Sequence, residues 1–185
     1  MGIFLSSSLC WSRQVHETCL RANRKLAVLR SVKYLKRSTL DLLYKVCVRS
    51  TVEYGLVLYW HSLKQTEAAR IRQIQYRGAR IVTGALPFTS QSKLESDIAW
   101  ETTDDRPKFL AITIFHKIHL IRTCMPQINT NNTRRAGCYV VPRYISRSYQ
   151  NSFFPKSSCF WSKLSKTIQN ECDIIIIKDK LKLIF

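Results

Sequence analysis

The chain has 185 residues, and its 30 lysines and arginines outnumber its 12 aspartates and glutamates, giving a formal net charge of +18. Because 45% of the residues are hydrophobic, the chain can bury a core, which excludes wholesale disorder. No run approaches the roughly 20 apolar residues of a membrane-spanning helix, so no membrane partner is expected. So large a positive charge repels itself unless a polyanion screens it. This composition favours a folded protein that binds nucleic acid over one whose basic side chains are merely solvated.

Seven cysteines are scattered along the chain without a CxxC pair. Such a pattern is typical of a reducing compartment rather than of a secreted disulfide framework. We therefore expect an intracellular protein of the nucleus or cytoplasm, one that is not secreted. Cys19 and Cys47 are interpreted as small core residues on helix faces.

The first eleven residues admit two interpretations. Met-Gly-x-x-x-Ser matches an N-myristoylation signal, with Cys10 as a palmitoylation site. Alternatively, residues 2–5 form a short strand that precedes a serine turn.

An amphipathic helix is predicted between residues 12 and 34, because apolar residues recur there at steps of 4, 3, 4 and 3. These residues are Val15, Cys19, Ala22, Leu26 and Leu29. The next helix is predicted to start at a variant capping box formed by Ser38 and Asp41. It continues through a mostly apolar stretch in which Gly55 is a candidate kink.

A third helix is predicted over residues 66–83, with Gly84 as its C-terminal cap. Its apolar stripe and its basic stripe have the same spacing but lie on adjacent faces. The apolar stripe consists of Ile71, Ile74, Gly78 and Ile81, and the basic one of Arg70, Gln73, Arg77 and Arg80.

Two further helices are predicted before residue 129, where the sequence loses its apolar periodicity and becomes polar. The first is short and covers residues 93–100. The second starts at Thr103, Asp104 and Asp105, has Pro107 in its first turn and ends near Arg122. Beyond it we predict a polar linker and one short helix from Phe160 to Ile168, and residues 173–185 are ambiguous between strand and helix.

The residues that commonly carry catalysis or bind metals have simpler interpretations here. Asp104 and Asp105 are interpreted as helix-capping residues. His116 and His119 share a helix face and Cys124 follows them, but a fourth zinc ligand is absent at any recognised spacing, so the two histidines are interpreted as surface residues. The glycosylation sequon at Asn131 is expected to stay unmodified. No catalytic residue, metal site or cofactor is predicted.

Five sequence features occur in a fixed order: LRANRKLAVLR (residues 20–30), LYK..VRS.VEYG....W (43–60), ARIRQIQYRGARIVTG (69–84), Trp100 and NSFFP.....W..L (151–164). In this order they resemble the reverse transcriptases of LINE-type (non-LTR) retrotransposons, in the region that follows the palm. Ser50, Ser162 and Ser165 depart from the family pattern. The resemblance favours a strand over lipidation at the N-terminus, since a strand leads out of the palm there.

The resemblance implies a mainly α-helical fold: a thumb-like helical bundle with a short N-terminal strand and an irregular C-terminal extension. Residues 1–11 would be a remnant of the palm-exit strand, residues 12–124 the thumb-like domain, and residues 125–185 a basic and aromatic extension with one short helix. Reverse transcriptases polymerise with palm carboxylates that hold two Mg²⁺ ions. This chain lacks their aromatic-x-Asp-Asp hairpin, so we do not expect it to be an enzyme by itself.

In such an enzyme these helices follow the template–primer duplex, so the expected partner is RNA, DNA or an RNA–DNA hybrid, bound through its phosphates. The residues predicted to bind it are Arg21, Arg24, Lys25, Lys33, Arg70, Arg77 and Arg80. Aromatic residues of the extension are predicted either to stack on bases beside Arg143 and Arg147 or to pack internally. These aromatics are Tyr139, Tyr144, Tyr149 and Phe153.

Two other hypotheses stay open. In the first hypothesis, the chain is a helical protein-interaction module whose apolar surface would be exposed by loss of the palm. In the second, it is a transposon relic without a selected function. The surface of the first hypothesis would consist of Ile3, Leu5, Leu58, Tyr59 and Trp60.

Overall fold

The computed structural model describes residues 2–6, 10–121, 146–169, 171 and 174–182, and these are mainly helical, as predicted. The helices in chain order are α1 (Ser12–Ser31), α2 (Arg37–Leu43), α3 (Ser50–Glu53), α4 (Leu56–Tyr59), α5 (Gln65–Thr83), α6 (Gln91–Ile98), α7 (Asp105–Ile121), α8 (Arg147–Gln150), α9 (Phe153–Ser162), α10 (Lys166–Gln169) and α11 (Ile174–Lys182). A π-helical segment, Tyr44–Arg49, joins α2 to α3, and a 3₁₀ turn, Trp60–Ser62, follows α4. None of the helices in these ranges is long and apolar enough to cross a membrane.

The contacts divide the chain into two compact units. The first unit comprises Met1–Leu56 and Leu63–Thr103, and the second comprises Val57–Ser62 and Asp104–Phe185. The three-part division with boundaries after residues 11 and 124 stays a prediction.

The predicted N-terminal strand is wrong, because residues 2–6 have no regular secondary structure. A strand needs a neighbour that pairs with its backbone. Here the backbone N–H of Phe4 donates instead to Oε1 of Gln14 at 2.9 Å, and the Arg13 guanidinium lies 4.6 Å from the centroid of the Phe4 ring. The segment is thus attached to α1 through side chains.

The first unit is built on the stripes of α1 and α5. All five apolar residues of the α1 stripe are buried, and so are Ile71, Ile74 and Gly78 of α5, whereas Ile81 is half-buried. Helix α5 ends at Gly84 in the left-handed conformation (φ +68°), as its sequence predicts.

An aromatic stack connects the π-helical segment, α5 and the residues after α6. The rings of Tyr44 and Trp100 are nearly parallel, with their centroids 4.2 Å apart. Trp100 donates through Nε1 to Oδ1 of Asp41 at 2.8 Å, and Oδ2 of Asp41 pairs with Lys45 at 2.7 Å. Tyr44 lies directly over Gly78, where an added Cβ would come within 2.2 Å of its ring. Gly78 therefore provides the space that the stack occupies.

The predicted capping box is wrong. Helix α2 begins at Arg37, its N-cap residue is Lys36, and no side chain caps it. Ser38 therefore lies inside the helix, and Asp41 serves the Trp100 contact instead of an end of the helix.

Gly55 interrupts the central apolar stretch, as predicted. Its φ of +70° is left-handed, a conformation that glycine adopts without a steric penalty, and it separates α3 from α4. Cys47 is exposed, which contradicts its prediction as a core residue, whereas Cys19 is buried. The π-helical winding of residues 44–49 changes which side chains face inward: Tyr44 and Val48 are buried, while Val46 is 60% exposed.

The second unit has a core of its own, formed by residues from α7, α9, α10 and α11. Its buried residues are Phe109, Ile112, Phe115, Trp161, Ile168, Ile177 and Leu181. His116 of α7 is fully buried, and its ring lies 5.3 Å from that of Trp161. The prediction of a surface histidine is therefore wrong for His116, because it occupies a core position of α7. The side chain of His119 lies outside the described residues.

The extension holds more helix than predicted. Four helices, α8 to α11, lie within its described residues, and the predicted helix from Phe160 to Ile168 is wrong, since α9 ends at Ser162. Nε2 of Gln169 donates to the carbonyls of Trp161 and Leu164 at 2.8 and 3.0 Å. These bonds join α10 to the C-terminal end of α9 and the turn after it, a contact that periodicity alone does not indicate.

His61 makes the stability of the second unit depend on pH. Burial, reinforced by the cations of Lys156 and Lys108, lowers its pKa from 6.5 to about 4. The unfolded chain therefore binds more protons between these two values, and stability falls as the pH is lowered from about 6.5 toward 4. We expect a loss on the order of 2 kcal/mol, allowing for the partial exposure of the ring.

Replacing His61 by Phe tests this expectation while retaining a ring beside Phe160, whose centroid is 5.2 Å away. Urea unfolding of both proteins should show a smaller difference between neutral and acidic pH in the variant. An unchanged pH dependence would assign the effect to other groups.

Candidate nucleic-acid interface

Helices α1 and α5 lie side by side and run in the same direction. Arg70 contacts Nδ1 of His16 at 3.2 Å, and Arg77 donates to Oδ1 of Asn23 at 3.2 Å. Both pairs join residues 54 positions apart, so the two helices keep one register along their length. We call this line of contact the α1–α5 seam.

A cavity of about 460 Å³ lies where the two helices end. We call it the basic groove, and the residues that line it are Arg30, Lys33, Arg77, Arg80, Ile81, Gly84 and Ala85. Four of the seven are cations, contributed by both sides of the seam. The groove therefore brings together charges that lie about 50 residues apart in the chain.

Few negative charges are available to neutralise these cations. In the sequence no acidic residue occurs between Glu17 and Asp41, or between Glu67 and Glu95. Glu67 lies in the first turn of α5, at the end away from the groove, and accepts a hydrogen bond from Ser12 at 2.5 Å. Glu53 and Glu101 both pair with Arg49, at 2.8 and 2.9 Å.

The negative ends of the two helix dipoles offset only part of the positive charge of the groove. Arg30 and Arg80 lie in the last turns of α1 and α5, where cations are favoured by a partial charge of roughly −0.5 at each helix end. Two helix ends thus offset about one of the four positive charges. A surplus of about three charges is left for an anionic ligand.

Arg80 is held in place beside the groove. Its guanidinium lies 5.8 Å from the centroid of the Tyr76 ring, a cation–π arrangement. Its Nε is buried, and within the described part of the chain it has no hydrogen-bond partner. A buried N–H of this kind is costly unless a ligand accepts from it.

The seven predicted binding residues divide into two groups. Lys33, Arg77 and Arg80 line the basic groove, and Arg70 lies along the same seam. Arg30 was not among the predicted residues. It follows Asn23 by seven residues, two turns of helix on the same side, but only the contact of Asn23 with Arg77 shows that this side faces α5.

Arg21, Arg24 and Lys25 do not line the groove. Successive helical residues are rotated by about 100°, so Arg21 and Lys25, each two residues from Asn23, lie on nearly the opposite side of α1. Lys25 donates to the carbonyl of Cys47 at 3.0 Å and to Oγ1 of Thr51. It thus satisfies a carbonyl of the π-helical segment, and its predicted phosphate contact stays a prediction. Arg24 is exposed.

The remaining candidate residues are placed as follows. Helix α7 starts at Asp105, as predicted, and Oδ1 of Asp105 pairs with Lys108 at 2.7 Å. Within the described residues no group of three metal-ligating side chains could hold an ion. Of the predicted stacking aromatics, Phe153 is buried and Tyr149 is 46% exposed. Tyr139, Tyr144, Arg143 and the sequon at Asn131 lie outside the described residues.

The apolar surface predicted for a protein partner is buried only in part, and Ile3 is half-buried. Tyr59 is fully buried and Trp60 is 7% exposed, while Leu58 and Leu5 are 45% and 71% exposed.

Comparison with known proteins gives no match: no protein-family model, no curated protein and no solved structure matches the chain. What the chain does must therefore be inferred from its own residues.

Proposed function

We propose that this chain binds the phosphate backbone of nucleic acid through the basic groove. The observation that supports this most directly is the set of four cations around one cavity, supplied by α5, the last turn of α1 and the residues just after it, and poorly neutralised by acidic residues. Together with the sequence resemblance, it favours the thumb-like region of a LINE-type reverse transcriptase as the origin of the chain. The ligand would then be RNA, DNA or, in a template–primer duplex, an RNA–DNA hybrid.

Binding of this kind gains free energy when arginines and lysines displace counterions from phosphates. It carries little sequence preference, because phosphates are common to all sequences. An A-form hybrid would be distinguished by its shape and its 2′-hydroxyls. We propose no catalysis by the chain alone and an intracellular setting, nuclear or cytoplasmic, where such ligands occur.

The salt dependence of binding tests this function. If all four groove cations contact phosphates, the logarithm of affinity should fall with the logarithm of salt concentration at a slope of roughly −3 to −4. Affinity for a labelled RNA–DNA duplex would then drop about 100-fold between about 50 and 200 mM salt. The absence of binding at low salt, or binding that ignores salt, would refute the proposal.

A further inference from the structure

The loop after α5 ends in an exposed apolar tip. Phe88 is 99% exposed and Leu86 is 77% exposed, with Pro87 between them also exposed. Solvation of two large apolar side chains is unfavourable, and neither fills any part of the core.

The tip is a closed turn. The N–H of Thr89 donates to the carbonyl of Leu86 at 3.3 Å, and the Thr89 hydroxyl donates to the same carbonyl at 2.9 Å. Proline at the second position and positive φ at the third are the pattern of a type II turn, in which the third residue is usually Gly or Asn. Phe88 occupies that third position with φ of +75°, a strained conformation for a side chain of its size.

The turn is tied to the basic groove. Gly84 and Ala85, where the loop starts, line the groove, and Phe88 follows Ala85 by three residues, a span of at most about 11 Å. The hydroxyl of Tyr76 donates to the carbonyl of Thr89 at 2.8 Å, and the same Tyr76 ring lies beside the guanidinium of Arg80. One α5 side chain therefore contacts both the cation in the groove and the base of the tip.

We propose that Phe88 stacks on an unpaired base of a strand whose phosphates lie in the basic groove. This inference rests on the proposed function and specifies its ligand: a nucleic acid with a single-stranded segment, an overhang or a frayed end. Phosphates along a strand are spaced at about 3.4 Å per nucleotide of helix axis, so the tip lies within about three nucleotides of the groove. Aromatic side chains beside a cationic track are how proteins hold single strands without reading their sequence.

A base fits this tip better than a protein partner does. Two neighbouring side chains offer far less than the roughly 800 Å² that each partner buries in a stable protein interface. A single aromatic ring is, however, sufficient to stack on one base, and the adjacent cations match the phosphates of the same strand.

The test compares a short labelled DNA strand with an abasic strand of the same length and charge. The full chain should bind the strand with bases about 5- to 100-fold more tightly. Phe88→Gly should bind both strands alike, with an unchanged salt slope and a melting temperature at or above that of the unmodified chain, since glycine relieves the strained φ. Phe88→Tyr, which retains an aromatic ring, should keep the preference.

The outcomes separate this inference from the function on which it rests. Equal, steeply salt-dependent binding of both strands by the unmodified chain would overturn the stacking role and leave the groove intact. If neither strand binds at low salt, this inference fails, and the titration with the RNA–DNA duplex then decides whether the proposed function fails as well. A full base preference in Phe88→Gly would overturn the role of Phe88. The stacking role would also be overturned if Phe88→Gly weakened binding to anionic lipid vesicles and left binding to both strands unchanged. The tip would then be a membrane contact.

Discussion

Replacing Lys33 and Arg77 together by alanine should roughly halve the salt dependence of nucleic-acid binding, from a slope near about −3.6 to one near about −1.8. The two side chains enter the basic groove from its two sides, one after α1 and one from α5. Their loss removes two of four counterion-displacing contacts. Both residues are exposed, so the fold should be retained, with only the hydrogen bond from Arg77 to Asn23 lost. Fluorescence anisotropy across a salt series measures the slope directly.

A matched control removes the same charge elsewhere on the first unit. Arg24→Ala with Lys93→Ala takes two cations from exposed positions that do not line the groove. Because the slope depends on how many phosphates the bound cations neutralise, removing two cations that do not line the groove should change it little. If the salt slope decreases equally in both double variants, binding depends on the overall charge of the chain and the groove has no special part in it.

Gly78→Ala should destabilise the protein by about 2 kcal/mol, and Gly78→Val by about 3 kcal/mol or more. In an ordinary helix, alanine in place of glycine stabilises by about 1 kcal/mol. Here a Cβ would lie 2.2 Å from Cε2 of Tyr44 and 2.6 Å from Cδ2. The Tyr44 ring is only 3% exposed and stacks on Trp100, so it has little room to move. Thermal and urea unfolding give the free-energy change.

A second background shows whether the steric conflict is the cause. In a Tyr44→Leu protein the ring is absent, so Gly78→Ala should be neutral there or stabilising by up to about 1 kcal/mol. If the alanine costs the same in both backgrounds, its effect does not arise from Tyr44.

Local patterns in the sequence predicted the helices well where a stripe of apolar residues was long. The stripes of α1 and α5, the cap at Gly84, the break at Gly55 and the start of α7 at Asp105 all follow from residues close to each other in the chain. The predictions that failed involve distant partners. Asp41 has the local pattern of a capping residue, but in the fold it accepts a hydrogen bond from Trp100, 59 positions away.

The candidate site was predicted only in part, for the same reason. Lys25 and Lys33 are equivalent in the sequence, since both are basic residues on or just after the same amphipathic helix. The fold separates them, because the carbonyl of Cys47 lies next to Lys25, whereas the end of α5 lies next to Lys33. The exposure of Phe88 was not predicted, because the sequence does not show whether an aromatic residue in a loop packs against the core or faces solvent.

The sequence by itself determined which residues share a helix face, because that depends only on the 3.6-residue period of each helix. It also determined that the chain carries a large unbalanced positive charge. Only the tertiary structure decided which faces meet: α1 against α5 in parallel, with their basic ends together. That choice depends on packing between residues 54 positions apart, and no local period encodes it.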